Sequence, residues 1–374
     1  MVSYRRIVSK INDVVERWHL HSLLEKRYRK ILQLNGIHNK EVFGEAVWLK
    51  KWSQYGVKVT PTQYRVFSQY IGPEIDIVPE EVCHCVIEPI LNSKATSDFY
   101  SDKNFFDKIV GAQMLPKTIL RRINGFFYDD KYRRIQLSDS FMEQMLSSVS
   151  VQKVILKPSV DGISGRGVVL FTRNKKDGHF YSEDRGLLNQ DFLISCSKNI
   201  IIQECVEQHS FMAQFCETSV NTLRLALYKS VIDDEPHVLG AVIRIGKKGS
   251  CVDNAHSGGR FIGINEEGLL LHKVYNQYGI GESRFNGIDF CNNTFQLPFW
   301  KDVVDFAKNV SLKIIHHRLI ALDISVDKDS HPVLIEYNCA PETFSTWLFQ
   351  YTKGPAFGKY TDEILSYVKK QIEG

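Results

Sequence analysis

The sequence predicts an α+β fold with largely antiparallel sheets behind a helical N-terminal region, and three observations carry that expectation. Runs of period-two alternation dominate the chain after about residue 133: "QKVILKP", "GVVLF", "NIIIQECV", "TLRLALYK", "HVLGAVIRIG", "LIALDISV" and "PVLIEYN". Few helical patterns separate these runs, so strand follows strand as in antiparallel sheets. Near the N-terminus the apolar residues recur instead at helical spacing.

The first element is a long helix. Ile7, Ile11, Val14, Val15, Trp18, Leu24, Tyr28, Ile31 and Leu32 fall on helical positions, and the glycine of "LNGIHN" stops the run. Residues 40–70 read as helical and then irregular, with Pro61 suited to a helix start. "IGPEIDIVPEEV" reads as a loop with a short extended stretch. "SDKNFFDKIVGAQM" at 101–114 predicts a capped helix, with Ser101 or Asp102 as N-cap and Phe105, Phe106, Ile109 and Val110 on one side. Residues 138–149 form another helix, the strands follow, and helices return at "PFWKDVVDFAKNVSLKI" and "TDEILSYVKKQI". Fixed-period repeats and low-complexity tracts are absent from the sequence.

Composition narrows the function. The 374 residues allow two or three domains, and 43% hydrophobic with 24% charged residues is ordinary for a globular chain. No apolar run nears the roughly 20 residues that span a bilayer, and the first residues show no apolar signal core, so a cytoplasmic protein is expected. Eight cysteines lack zinc-site spacing, and "CHC" at 83–85 is too tight for the common ligand pairs, so reduced, buried thiols are expected. Residues 1–50 carry ten Lys/Arg against five Asp/Glu, while the whole chain has a net charge of +4. The rest is therefore slightly acidic, which argues against nucleic acid as partner. The basic N-terminal segment is suited to an acidic surface.

A polar question sits in the C-terminal strands. Zipping "LIALDISV" onto "PVLIEYN" from Val326 opposite Val333 places Asp323 directly opposite Glu336, with Cβ atoms about 4.5–5.5 Å apart. Two carboxylates that close repel, and burial worsens the repulsion. Asn338 shares the Glu336 face and offers a third oxygen. A divalent cation resolves the conflict, and few hard oxygen ligands favour Mg²⁺ completed by substrate phosphates. A solvent-facing acidic pair at a sheet edge is the alternative.

Anion-binding features lie elsewhere. In "VILKPSVDGISGRGVVLF", Gly162, Gly165 and Gly167 allow backbone N–H groups to face an anion, and Lys157 ends the preceding strand. A plain glycine hairpin is the alternative. Pairing Val231 with His237 sets Arg224 opposite Arg244, which asks for an anion between them or for acids that salt-bridge each arginine. Glycines, arginines and a Mg²⁺ site together describe a triphosphate pocket.

In this order the motifs "ECVEQHSFMAQF…SVNTLRL", "AVIRIGKKGSCVDNAHSGG" and "LDISV…VLIEYN" resemble the ATP-grasp superfamily, and within it the sugar-transfer-associated branch of bacterial capsule and exopolysaccharide clusters, over about residues 97–345. The resemblance implies two α+β subdomains gripping ATP. Residues 1–95 would be a helical preface with a reduced pre-grasp segment, 96–205 the first subdomain with its glycine flap, and 206–374 the second with the metal site. It implies that Lys103 and Lys157 contact phosphates, and that the loop Asp161, Gly162, Ser164, Gly165, Gly167 closes over them. Glu204, Cys205 and Val206 would read the adenine edge, with Glu207 or His209 at the ribose. Asp323, Glu336 and Asn338 would hold Mg²⁺, and Arg224 and Arg244 would stabilise the transferring phosphoryl group. Asp253, Asn254, Gly258 and Gly259 would border the acceptor pocket. The implied activity is an ATP- and Mg²⁺-dependent carboxylate–amine ligase working through an acyl-phosphate on a sugar acid or polysaccharide precursor. The alternatives are a phosphotransferase on a sugar hydroxyl, or a nucleotide-binding scaffold for glycosyltransferases. In the scaffold reading, the basic N-terminal helix would dock to those partners or to a membrane face.

Overall fold

The computed structural model describes residues 4–160, 166–340 and 342–373. Two seven-stranded antiparallel sheets organise these residues. The first contains β1 (Thr118–Ile123), β2 (Phe126–Tyr128), β3 (Lys153–Pro158), β4 (Val169–Arg173), β5 (Phe180–Ser182), β6 (Gly186–Leu187) and β7 (Ile200–Glu204), in the order β2-β1-β7-β3-β4-β5-β6. The second contains β8 (Thr222–Lys229), β9 (Pro236–Ile245), β10 (Arg260–Ile264), β11 (Leu270–Tyr275) and β12 (Gly281–Glu282). A small ribbon of β13 (Arg284–Phe285) and β14 (Ile288–Asp289) follows. The sheet is completed by β15 (Leu319–Val326) and β16 (Pro332–Asn338), in the order β12-β11-β10-β9-β8-β15-β16.

All seven runs expected as strands form strands. The short ones, β2, β5, β6, β12, β13 and β14, were not read, because two or three residues carry too little alternation to register a period, and β1, β10 and β11 were missed as well, their apolar residues standing side by side rather than alternating. The helix Tyr4–Leu34 ends before Gly36, whose φ of 63° is left-handed. Pro61 starts the helix Pro61–Ile71, as its position suggested, and the earlier helical stretch is Glu45–Ser53. The helix expected at 101–114 is broken. Asp102 accepts from the Asn104 amide to cap a single turn, Phe106–Val110 is helical, and Gly111 at φ 98° stops it.

Strand alternation divides the second sheet into two faces. Leu223, Leu225, Leu227, Ile243, Ile262, Leu322 and Ile324 pack against Phe106, Val110 and the helix Trp300–Lys313. The interleaved Ala226, Tyr228, Val242, Phe261, Leu319 and Ala321 pack against Tyr28, Ile31, Trp48, Trp52 and Phe67 of the N-terminal helices, and against Trp347 and Tyr351 near the C-terminus. The N-terminal region is therefore part of this sheet's core rather than an appendage. In the first sheet Val154, Leu156, Phe171, Ile200 and Ile202 bury one face under Met142, Leu146 and Leu193. Period two then turns Lys153, Ile155 and Lys157 to the other face, where they line a cavity.

Candidate functional site

Central strand β15 presents Asp323 between two neighbours in register, Arg224 of β8 on one side and Glu336 of β16 on the other. The expected Asp323–Glu336 pair forms, but by a different route. Val326 lies opposite Pro332 rather than Val333, and a bulge between Asp323 and Ile324 restores the register beyond it. The arginine register is also corrected. Arg224 lies opposite Val242, and Arg244 opposite Thr222, because the turn pairs His237 with Tyr228 rather than Val231, and a bulge beyond Ala226 only partly offsets that slip. The two arginines share a face diagonally, and the anion between them is the protein's own carboxylate. Arg224 donates to Asp323 at 2.6 and 2.9 Å, while Arg244 reaches Asp323 at 3.1 Å and Asp253 at 2.9 Å. Of the two readings left open by the sequence, acids that salt-bridge the arginines describe this arrangement.

The electrostatics follow from burial. Burial pushes the Asp323 carboxyl up, but Arg224 and Arg244 outweigh it and hold the group below its ordinary value. For Arg244, burial opposes the charge, and Asp253 and Asp323 raise the guanidinium above its usual range. Asp253 goes the other way, because its own burial exceeds the pull of Arg244 and raises it. Its carboxylate also accepts from the amide and the hydroxyl of Thr222.

Lysines meet this cluster from the first sheet. The Lys103 amide donates to the Ser159 carbonyl at 2.9 Å, which ties its turn to the end of β3, and its ammonium pairs with Glu336 at 2.7 Å. Lys157 is buried and touches Gln203 at 3.3 Å. Burial lowers it to about 8, against the opposing pull of Glu336. Asn338 donates to the Ala321 carbonyl at 3.4 Å, which orients the amide and leaves its oxygen as an acceptor. Asp161, Gly162, Ser164 and Gly165 lie outside the described residues. Gly167 has φ 75°, and a Cβ there would meet Pro158 at 2.9 Å, so glycine is required by the return of the chain over β3.

The segment leaving β7 lines the same cavity with Glu204, Cys205, Val206, Glu207 and Gln208. Glu204 pairs with Lys117 at 3.0 Å, and Glu207 with Lys328 at 2.6 Å. His209 does not reach the cavity lining. Its Nδ1 accepts from the Phe211 amide at 3.1 Å and its ring packs edge-on to Phe299, so it caps a turn. Asp253 and Asn254 line the cavity, whereas Gly258 and Gly259 do not. A Cβ at Gly259 would meet three carbonyl oxygens at 2.6–2.8 Å, so close backbone approach explains that glycine.

The cavity measures about 820 Å³, within the usual range for small-molecule sites. Part of its wall was not anticipated: Leu20, Leu23, Leu24 and Arg27 of the N-terminal helix, and Thr343, Ser345, Trp347 and Leu348 after β16. The Thr343 carbonyl accepts from Arg224 at 3.2 Å. Glu88 holds that segment by accepting from the amides of Glu342 at 2.8 Å and Phe344 at 3.3 Å. Glu88 belongs to a buried group with Cys83 and His84 whose ligand atoms lie within 4.8 Å of one another. His84 contacts Glu88 at 2.8 Å and Glu80 at 3.6 Å. Burial opposes its charge, but Glu88, Cys83 and Glu80 raise the imidazole well above its ordinary value, and His84 with Glu88 and Glu80 forms an ion-paired strut. The one sequence signal for the helical wall is the spacing of 20, 23, 24 and 27, which falls on a single stripe. All eight cysteines are free thiols, but Cys251 and Cys291 are exposed, contrary to the expectation of burial. Among the described residues no helix is long and apolar enough to cross a membrane.

Comparison with known proteins adds the family. The family model for sugar-transfer associated ATP-grasp matches residues 87–363. No curated protein matches the chain. Among solved structures, the ADP complex of N5-carboxyaminoimidazole ribonucleotide synthetase is 13% identical over 68% of this chain and 48% of its own, with a TM-score of 0.36. The ATP-grasp ligase PsnB with minimal precursor, Mg and ADP is 15% identical over 75% and 62%, TM-score 0.39. An L-amino acid ligase from Bacillus licheniformis is 13% identical over 72% and 50%, TM-score 0.38. The chain spans about half the length of the first and the last of these. With the family model matching well over half of the chain, the chain belongs to the sugar-transfer associated ATP-grasp family.

Proposed function

We propose that the protein is an ATP- and Mg²⁺-dependent ligase that activates a carboxylate as an acyl-phosphate and joins it to an amine, the carboxylate belonging to a sugar acid or polysaccharide precursor. One observation carries the reading. Lys103, Lys157, Arg224 and Arg244 converge on one cavity whose floor also holds Glu336 and Asn338 on a single strand face. The sugar context is supported by the family description.

The donor set fits a metal on one condition. Four cationic side chains meet three carboxylates, Asp253, Asp323 and Glu336, each already engaged by arginine or lysine. A divalent cation alone would add to a positive excess, whereas a cation carried by a triphosphate arrives with compensating negative charge. Glu336 and Asn338 are the accessible oxygen donors, and Asp323 would share its carboxylate between metal and arginine. When bound, Mg²⁺ would neutralise charge on the phosphates. Lys103 and Lys157 would hold the phosphate tail, and Arg224 and Arg244 would orient the acceptor carboxylate. Its oxygen bonds to the terminal phosphorus as the bond to ADP breaks. The amine nitrogen then bonds to the acyl carbon, phosphate leaves, and the surplus proton on nitrogen passes to solvent.

The test is incubation of the full chain with ATP, Mg²⁺ and pooled sugar acids and amines, followed by measurement of ADP and of new masses. A product one water lighter than its two precursors is expected. A phosphorylated alcohol would identify a phosphotransferase instead, and no ADP formation would overturn the enzymatic reading in favour of a scaffold.

Lys157 makes the nucleotide step pH-dependent. A phosphate requires the protonated lysine, and burial lowers this ammonium to about 8. Affinity for ADP with Mg²⁺ should be full below that value and should weaken as pH rises through it, with binding at pH 8.5 taking up protons. Calorimetry at pH 8.5 in buffers of different ionisation enthalpy checks this. A heat independent of buffer would show that Lys157 does not meet phosphate.

A further inference from the structure

The cavity has an apolar wall that the ligase chemistry leaves unused. Leu20, Leu23, Leu24 and Arg27 stand at i, i+3, i+4 and i+7 on the helix Tyr4–Leu34 and line the cavity together. Leu24 continues the stripe of Tyr28 and Ile31 that anchors the helix in the core, and Leu20 and Leu23 flank it along the cavity. Leu23 remains 49% exposed in that wall, an apolar surface that an occupant would cover. Arg27 adds no open charge. It pairs with Glu80 at 3.4 Å, and its guanidinium lies 5.0 Å over the Trp347 ring. The wall adjoins the arginines through one short segment, because the Thr343 carbonyl accepts from Arg224 while Trp347, four residues on, lies beneath Arg27. This helix precedes the residues that the family model matches, 87–363, whereas Trp347 lies within them.

We propose that the acceptor is amphiphilic: its carboxylate lies at Arg224 and Arg244, and an apolar portion lies on Leu20, Leu23, Leu24 and Trp347. The N-terminal helix thereby selects the acceptor. The carboxylate half of this proposal rests on the ligase reading, and the apolar half rests on the wall alone.

Straight-chain alkanoates from butanoate to decanoate, titrated into the full chain by calorimetry, probe both halves. Affinity is expected to rise roughly twofold to fourfold per added methylene, the range set by partial to full burial of each group. Leu23→Asp, and separately Leu20→Ser, should flatten the series while affinity for ADP with Mg²⁺ stays at the wild-type value, which also reports that the variants fold. An affinity independent of chain length in the wild type, or an undiminished series in both variants, would overturn the proposal. Loss of ADP binding by the wild type would instead count against the ligase reading, with the alkanoate series still reporting on the wall.

Discussion

Glu336→Gln is expected to lower ATP turnover by about 10²–10³ or more, measured as ADP released with the substrate pair found by screening. Glutamine keeps the volume and removes the charge. The fold should survive, because Glu336 is 30% exposed and its pair with Lys103 is a partly solvated one worth about 1 kcal/mol or less. The contrast between a large kinetic effect and a small structural one is the signature of a residue that acts on the phosphates or their metal. A rate equal to wild type would remove the metal site from β16.

Asp323→Asn should behave differently, with stability as the first casualty. Both carboxylate oxygens sit between Arg224 and Arg244 in a buried environment. Arg244 would keep Asp253 as a partner, whereas Arg224 would retain the Thr343 carbonyl in place of a carboxylate. Leaving a buried guanidinium without its acid costs about 3 kcal/mol. Hydrogen exchange of the β8 and β15 amides should therefore accelerate about 10²-fold, with turnover lost as well. Unchanged protection would mean that the three-membered cluster does not hold these strands together. A carboxylate predicted from sequence to be a metal ligand thus has a prior structural duty, and the two roles separate only by measuring stability beside activity.

Why the sequence led so near to the cluster and still misplaced its partners can be traced to bulges and to one turn. Alternation identifies which side chains share a face, and it did so for Arg224 with Arg244 and for Asp323 with Glu336. It cannot see an extra residue in a strand, since a bulge is decided by packing around it. The bulge between Asp323 and Ile324 left the expected pair intact, while the turn that pairs His237 with Tyr228 instead of Val231 moved Arg224 off Arg244, the bulge beyond Ala226 making up only part of the slip. His209, Gly258 and Gly259 show a related limit: a motif position suited to ligand binding was taken by a helix cap, a turn and a close backbone approach.

By itself the sequence determined the local and periodic features: the strands with clear alternation, the face each of their side chains takes, the helix that Gly36 ends, the charged residues on β8, β9, β15 and β16, and the motif order that signals the family. Tertiary structure alone decided what those charges meet and what closes the cavity. Ion partners are set by contacts between strands distant in the chain, Arg224 and Asp323 being 99 residues apart. The apolar wall exists because Tyr28, Ile31 and Leu32 bind the N-terminal helix to the same sheet face that carries the arginines. Helical spacing can mark a stripe as apolar, but only packing of distant segments determines whether that stripe meets core, solvent or a ligand.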